Sequence, residues 1–135
     1  MNRSNIRYAI LMKLGSGLLL LLVLLSACQR EYIPEGMVAA WVTENKRYVG
    51  CYLLISPDEI ILGATDATMH DYDVRKVKSR KRGDQLDVAI TVIDDKQMEV
   101  TFSLIFQPDK GDGILYFENQ PDVVWQRSAY LSPFY

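Results

Sequence analysis

The sequence predicts an all-β domain, an antiparallel up-and-down barrel or β-sandwich of seven or eight short strands, behind a cleaved signal helix. Three observations predict it. Past Gly36 the chain breaks into short runs rich in Val, Ile, Tyr, Phe and Thr that start roughly every 8–14 residues, the spacing of successive antiparallel strands. Two neighbouring runs alternate: Val88, Ile90 and Val92 share one parity against Asp87, Ala89 and Thr91, and Val100, Phe102, Leu104 and Phe106 share one against Thr101 and Ser103. Such alternation marks strands buried on one face only. No 10-residue window carries an apolar stripe of helical period, which argues against an amphipathic helix. With 135 residues and 49% hydrophobic content, the chain fits one domain and is too apolar to be disordered.

The N-terminus reads as an export signal. Arg3, Arg7 and Lys13 give a basic start, no acid precedes Glu31, and Leu14 to Leu25 is apolar but for Gly15, Ser16 and Gly17. These twelve residues fall short of the ~20 that a membrane-spanning helix needs. A charged start, a short apolar centre and small residues after it make a secretory signal.

Leu25-Ser26-Ala27-Cys28 follows directly and resembles the lipobox of bacterial lipoproteins. The resemblance implies cleavage by signal peptidase II after residue 27, a diacylglycerol on the Cys28 sulfur and an N-acyl chain on the new terminus, with no other cofactor. It implies a lipid-anchored protein of the bacterial cell envelope. Two or three acyl chains anchor stably where one does not. In the enterobacterial sorting pattern Asp after the lipidated Cys retains the protein in the inner membrane; Gln29 stands there instead, which implies the outer membrane, facing the periplasm.

Removal of residues 1–27 leaves 135 − 27 = 108 residues, and the loss of Arg3, Arg7 and Lys13 takes 15 basic residues to 12 against 17 acidic, a net charge of about −5. Such a balance argues against a nucleic-acid binder. Once Cys28 is a thioether, Cys51 is the remaining thiol and no intramolecular disulfide can form. Residues 28–36 are expected to form the lipidated tether, of which 29–36 span about 25 Å when extended. The folded domain is expected over 37–135.

Its runs follow in order. Met37 to Thr43 is first, then the turn Glu44-Asn45-Lys46 and the run Arg47 to Ile55. Ser56-Pro57-Asp58 turns into Glu59 to Leu62. Residues 63–71 make the longest connection, with room for a short helix in 64–71. Tyr72 to Ser79, a turn at Arg82-Gly83-Asp84, and Leu86 to Ile93 come next. Asp94-Asp95-Lys96 precedes Met98 to Gln107; Gly113 to Glu118 and Val123 to Tyr130 complete the set. If eight strands close into a barrel, Trp41 in the first and Arg127 in the last become neighbours. That arrangement is similar to lipocalin-like barrels, in which a first-strand Trp packs beneath an Arg from near the end of the chain. The resemblance implies an apolar ligand inside the barrel. The nearest Gly is Gly36, five residues before Trp41, in place of the family's Gly-x-Trp spacing. In a sandwich, Trp41 and Trp125 are core aromatics.

Candidate chemistry is sparse. No Gly-x-Ser-x-Gly, His-Glu-x-x-His, phosphate loop or Gly-x-Gly-x-x-Gly occurs, and no nucleophile, base and orienter can be named together, so no catalytic residue is assigned and no enzyme expected. His70 stands near Asp66, Asp71 and Asp73; loop polarity accounts for these residues, and no metal site is assigned. Asp109-Lys110-Gly111-Asp112-Gly113 lacks the ligands of a calcium loop and reads as a hairpin turn. Asp94-Asp95 reads as a turn and Cys51 as a small buried hydrophobe. No spacing argument brings Glu44 and Glu59 together. The strongest anomaly is basic: Arg75, Lys76, Lys78, Arg80, Lys81 and Arg82 place six of the twelve mature cations within eight residues. They form either a solvated edge or a binding surface for anionic lipid, peptidoglycan or an acidic envelope protein. The apolar end, Ala129 to Tyr135, is expected to fold back over a barrel mouth or else to stand out as an exposed docking peptide.

These features predict a membrane-anchored, non-catalytic binding or scaffolding module of the envelope, or alternatively a small lipocalin-like carrier of an apolar ligand. A cavity of roughly 300 Å³ or more, lined by Trp, Tyr and Leu, favours the carrier; an interior filled by side chains favours the scaffold. The lipobox generates the first test. Cys28→Ser blocks cleavage, and since 135 residues weigh 15.4 kDa, retention of 27 of them leaves a precursor about 3 kDa heavier on a denaturing gel. Normal processing of that variant excludes the assignment.

Overall fold

A computed structural model of the chain describes residues 31–65 and 68–130. The signal with Cys28, and also Asp66, lie outside the described residues. Eight strands run in chain order: β1 Ala39–Val42, β2 Cys51–Ile55, β3 Glu59–Ala64, β4 Met69–Arg82, β5 Gln85–Ile93, β6 Glu99–Gln107, β7 Ile114–Phe117 and β8 Trp125–Arg127. Each pairs antiparallel with the next and β8 returns to β1, so the sheet closes as an up-and-down barrel. Closure removes the free edges that an open sheet would leave.

Up-and-down order sends successive connections to alternate ends. Residues 43–50, 65 and 68, 94–98 and 118–124 gather at one end, and the turns 56–58, 83–84 and 108–113 at the other. The second end is closed by a 3-10 turn, Glu35–Met37, in which Met37 is fully buried. Ile33 is buried as well, so the chain is already packed against the barrel before Gly36.

The alternation in sequence sets the core. Val88, Ile90 and Val92 of β5 and Leu104 and Phe106 of β6 are buried with Leu53, Ile55, Ile60 and Leu115. β4 shows how an irregular pattern is accommodated. Val74 and Val77 are three apart, which a regular strand would send to opposite faces. A bulge between Val74 and Lys76 restores the parity, with Val74 opposite Val92 and Val77 opposite Ile90. Lys76 and Lys78 then face outward, opposite Thr91 and Ala89.

Three expectations are corrected. β3 runs on to Ala64 and β4 starts at Met69, because Leu62 pairs with His70 and Gly63 with Met69; a tight hairpin replaces the long connection and the short helix. Val100 and Phe102 share the apolar parity of β6, yet Phe102 is only half-buried and Val100 is 37% exposed. The last runs are shorter than their apolar stretches, with β8 only three residues long. Tyr130 is 96% exposed, and residues 131–135 lie outside the described residues.

The seam joins Trp41 to Arg127 and Val42 to Gln126. The Arg127 guanidinium carbon lies 5.5 Å from the Trp41 ring centre, and Arg127 Nη2 donates to the Gly36 carbonyl. Trp41 Nε1 donates to the Met37 carbonyl at 3.0 Å, and the ring meets Phe106 edge-on at 6.0 Å. Gly36 has little room for a side chain, since a Cβ there would lie 3.0 Å from Phe106 Cε1. This latch predicts that Arg127→Ala costs about 1–2 kcal/mol in urea unfolding. Trp41→Ala is expected to cost ~3–5 kcal/mol. In the double variant the two losses should fall short of additivity by about 0.5–2 kcal/mol; full additivity would show that the two side chains are not coupled.

Candidate functional site

The other end of the barrel is hollow. Leu53, Leu62 and His70 lie in register across β2, β3 and β4, as do Cys51 and Ala64 across β2 and β3. Ile90 opposes Phe102, Leu104 opposes Phe117 and Leu115 opposes Trp125. Paired residues share a face, so all these side chains are directed inward. Near the loops 43–50 and 118–124 those closest to the mouth line an open pocket of about 520 Å³, within the range of roughly 300–1,000 Å³ usual for small-molecule sites. Leu62, Ala64, Phe102, Phe117 and Trp125 make its apolar wall; Tyr48, Thr68, His70, Asn119 and Gln120 bring polar groups to it.

The wall is an unbroken chain of aromatic rings. Tyr72 meets Phe102 edge-on at 5.2 Å, Phe102 meets Phe117 at 6.0 Å and Phe117 meets Trp125 at 6.3 Å. Trp125 meets Tyr48 at 6.1 Å with the planes tilted by 46°. Edge-to-face pairs hold one another while leaving ring faces and edges for other partners. Tyr48 belongs to the 3-10 turn Lys46–Tyr48, which Asn45 caps by accepting from Arg47 N at 3.0 Å. The Tyr48 hydroxyl meets Gln120 Oε1 at 3.0 Å, and Arg47 pairs with Asp122 at 2.5 Å. These two contacts tie the first mouth loop to the last.

The two tryptophans differ in their polar atoms. Trp41 Nε1 is bonded, whereas Trp125 Nε1 is buried without a hydrogen-bond partner, alone in this among the described residues. A buried donor left unsatisfied costs about 1–3 kcal/mol.

The residues singled out in the sequence are dispersed. His70 is exposed and borders the cavity, whereas its neighbours Asp71 and Asp73 occupy the opposite parity of β4, opposite Ile61 and Glu59. Among the described residues no three His, Cys, Asp or Glu side chains gather into a metal site. Cys51 is a half-buried free thiol in the cavity wall. Glu44 lies in a mouth loop and Glu59 begins β3 at the closed end. Asp109 to Gly113 form the β6–β7 turn, with Gly113 N donating to the Lys110 carbonyl at 2.9 Å. Asp94 Oδ1 accepts from Lys96 N at 2.9 Å and from Met98 N at 2.7 Å, closing the β5–β6 turn.

All six clustered cations lie on β4 and all are exposed. Arg75 pairs with Asp73 at 3.8 Å and Arg82 with Asp87 at 3.0 Å. Lys76, Lys78, Arg80 and Lys81 form no ion pair among the described residues.

Sequence reasoning missed the cavity wall itself. Leu62, Ala64, Phe102, Phe117 and Trp125 carry the same letters as core residues. The signal that could have found them is positional: five inward aromatics, Tyr48, Tyr72, Phe102, Phe117 and Trp125, lie toward the loop-rich end. Comparison with protein-family models, curated proteins and solved structures finds no match to this chain.

Proposed function

We propose that the protein is a lipid-anchored envelope lipoprotein, acylated at Cys28, whose barrel binds a small amphipathic ligand in its open end. The single observation that carries this reading is the cavity of about 520 Å³ with its aromatic wall. It meets the criterion that separates a carrier from a filled scaffold and so favours the lipocalin-like alternative. The Arg127–Trp41 latch adds support, since it matches the arrangement that suggested such a barrel. Removal of an apolar ligand body from water supplies affinity at roughly 25 cal/mol per Å² of buried surface. No covalent chemistry is part of the reading, which is of a binding module and not an enzyme. Outer-membrane attachment facing the periplasm remains the reading of Gln29.

The test is displacement of a fluorescent fatty acid, read alongside Trp125 emission. The wild-type protein is expected to bind the probe and release it to unlabelled long-chain acid. Ala64→Phe, which adds a ring to the cavity wall, is expected to weaken binding at least tenfold while leaving circular dichroism unchanged. Phe117→Ala enlarges the site and should shift preference toward bulkier chains. Absence of probe binding by the wild type, or equal affinity in Ala64→Phe, would remove the carrier reading.

A further inference from the structure

The basic strand is tied to the N-terminal approach of the chain. Glu31 Oε2 accepts from Ser79 N at 2.6 Å and from the Ser79 hydroxyl at 3.3 Å. Ser79 lies between Lys78 and Arg80, in the part of β4 that pairs with β5 alone, because pairing with β3 ends at Asp73. Cys28 precedes Glu31 by three residues, and three residues of extended chain reach at most about 10 Å. Chain length therefore limits an anchor at Cys28 to within about 10 Å of Glu31, which is itself bonded to β4.

From this juxtaposition we infer that the β4–β5 hairpin is a docking surface for an anionic bilayer, which holds the barrel with its mouth directed away from the membrane. The inference rests on the acylation of Cys28 proposed above. Lys76, Lys78, Arg80 and Lys81 are exposed and free of ion pairs among the described residues. Each cation at an anionic surface favours contact roughly fivefold. Screening limits its reach to about 8 Å at physiological salt, and the short link to Cys28 keeps the hairpin near that distance. Nearby acids restrict the surface to the hairpin. Arg82 is compensated by Asp87, and Glu31, Asp87 and Glu118 border the groove beside Lys78 and Arg80. The other closed-end turns carry Asp58, Asp109 and Asp112 against Lys110, so the barrel is expected to lean on its hairpin and not stand squarely on its closed end. At the mouth, Glu44, Asp94, Asp95 and Asp122 outnumber Lys46, Arg47 and Lys96, which disfavours the inverted orientation.

The test uses the full mature protein, purified from membranes and reconstituted into vesicles of phosphatidylcholine with phosphatidylglycerol and a headgroup-quencher lipid. In a Cys51→Ser background a single fluorophore is attached at Asp84→Cys, Asp109→Cys or Asp95→Cys. Quenching is expected to be strongest at position 84, intermediate at 109 and weakest at 95, with at least a twofold difference between 84 and 95. That difference should collapse in the Arg80→Ser, Lys81→Ser, Arg82→Ser variant and in vesicles of phosphatidylcholine alone. Equal quenching at the three sites, strongest quenching at 95, or a pattern unchanged by the triple variant would overturn the orientation and leave the anchor standing. A chain whose N-terminal peptide lacks acyl mass and which does not float with vesicles would overturn both.

Discussion

The structure depends on closing the sheet at its weakest join. β8 is three residues long and meets β1 at two register pairs, too little backbone pairing to hold a barrel shut alone. Side chains and one further backbone bond complete the seam along its length. At the closed end Arg127 covers Trp41 and donates to the Gly36 carbonyl. Still nearer that end Ser128 N donates to the Ala40 carbonyl at 2.8 Å, and toward the mouth Thr43 Oγ1 donates to the Val124 carbonyl at 2.7 Å. Arg47–Asp122 and Tyr48–Gln120 then join the loops on either side. The Arg47–Asp122 pair is solvent-exposed and worth little in isolation. The Trp41 ring is fully buried and packed against Phe106, beneath an exposed Arg127, so closure is anchored from the end opposite the mouth.

That asymmetry divides the interior. Along β6 the inward side chains grade from Phe106 and Leu104, both buried, through half-buried Phe102 to exposed Val100. β2 grades likewise from Ile55 and Leu53 to Cys51, and β3 from Ile60 to Leu62 and Ala64. The same face of each strand therefore serves as core at one end and cavity wall at the other. Small side chains at Cys51 and Ala64 leave the space, and the run of ring contacts from Tyr72 to Tyr48 holds its large side chains without filling it. Interiors normally pack to the density of organic crystals, so a hollow kept open by interlocked rings sets this end apart from the closed one.

The strand content and its order were legible in the sequence, because side-chain alternation is a local property and turn residues punctuate it. The meeting of Trp41 and Arg127 was legible only on condition that the sheet closes. Barrel versus sandwich was not legible, since the alternation of β5 and β6 serves either. The bulge at Arg75 was hidden for a related reason: Val74 and Val77 look like a broken pattern until a partner strand fixes the parity. The cavity was illegible for a different reason. Nothing in Val100 or Phe102 distinguishes a core residue from a wall residue, and the difference depends on how far the opposite strands extend. The basic cluster could be read as letters but not as a surface. Only the register shows that Lys76 and Lys78 leave the barrel together while Arg82 is spent on Asp87.

An even number of strands in up-and-down order has a further consequence. The start of β1 and the end of β8 must lie at the same end, and the 3-10 turn at Glu35–Met37 closes that end. Any attachment upstream of Ile33 therefore acts on the end opposite the cavity mouth. If the chain is an anchored carrier as proposed, a ligand leaving the barrel would enter the aqueous phase or pass to a partner that meets the mouth, and would not slide directly into the anchoring bilayer. For an apolar molecule in water, direct release is the costly route, because the surface hidden by Phe102, Phe117 and Trp125 becomes hydrated again. The topology thus favours hand-over between proteins, with the tie between Tyr48 and Gln120 placed where a partner approaching the mouth would meet it first.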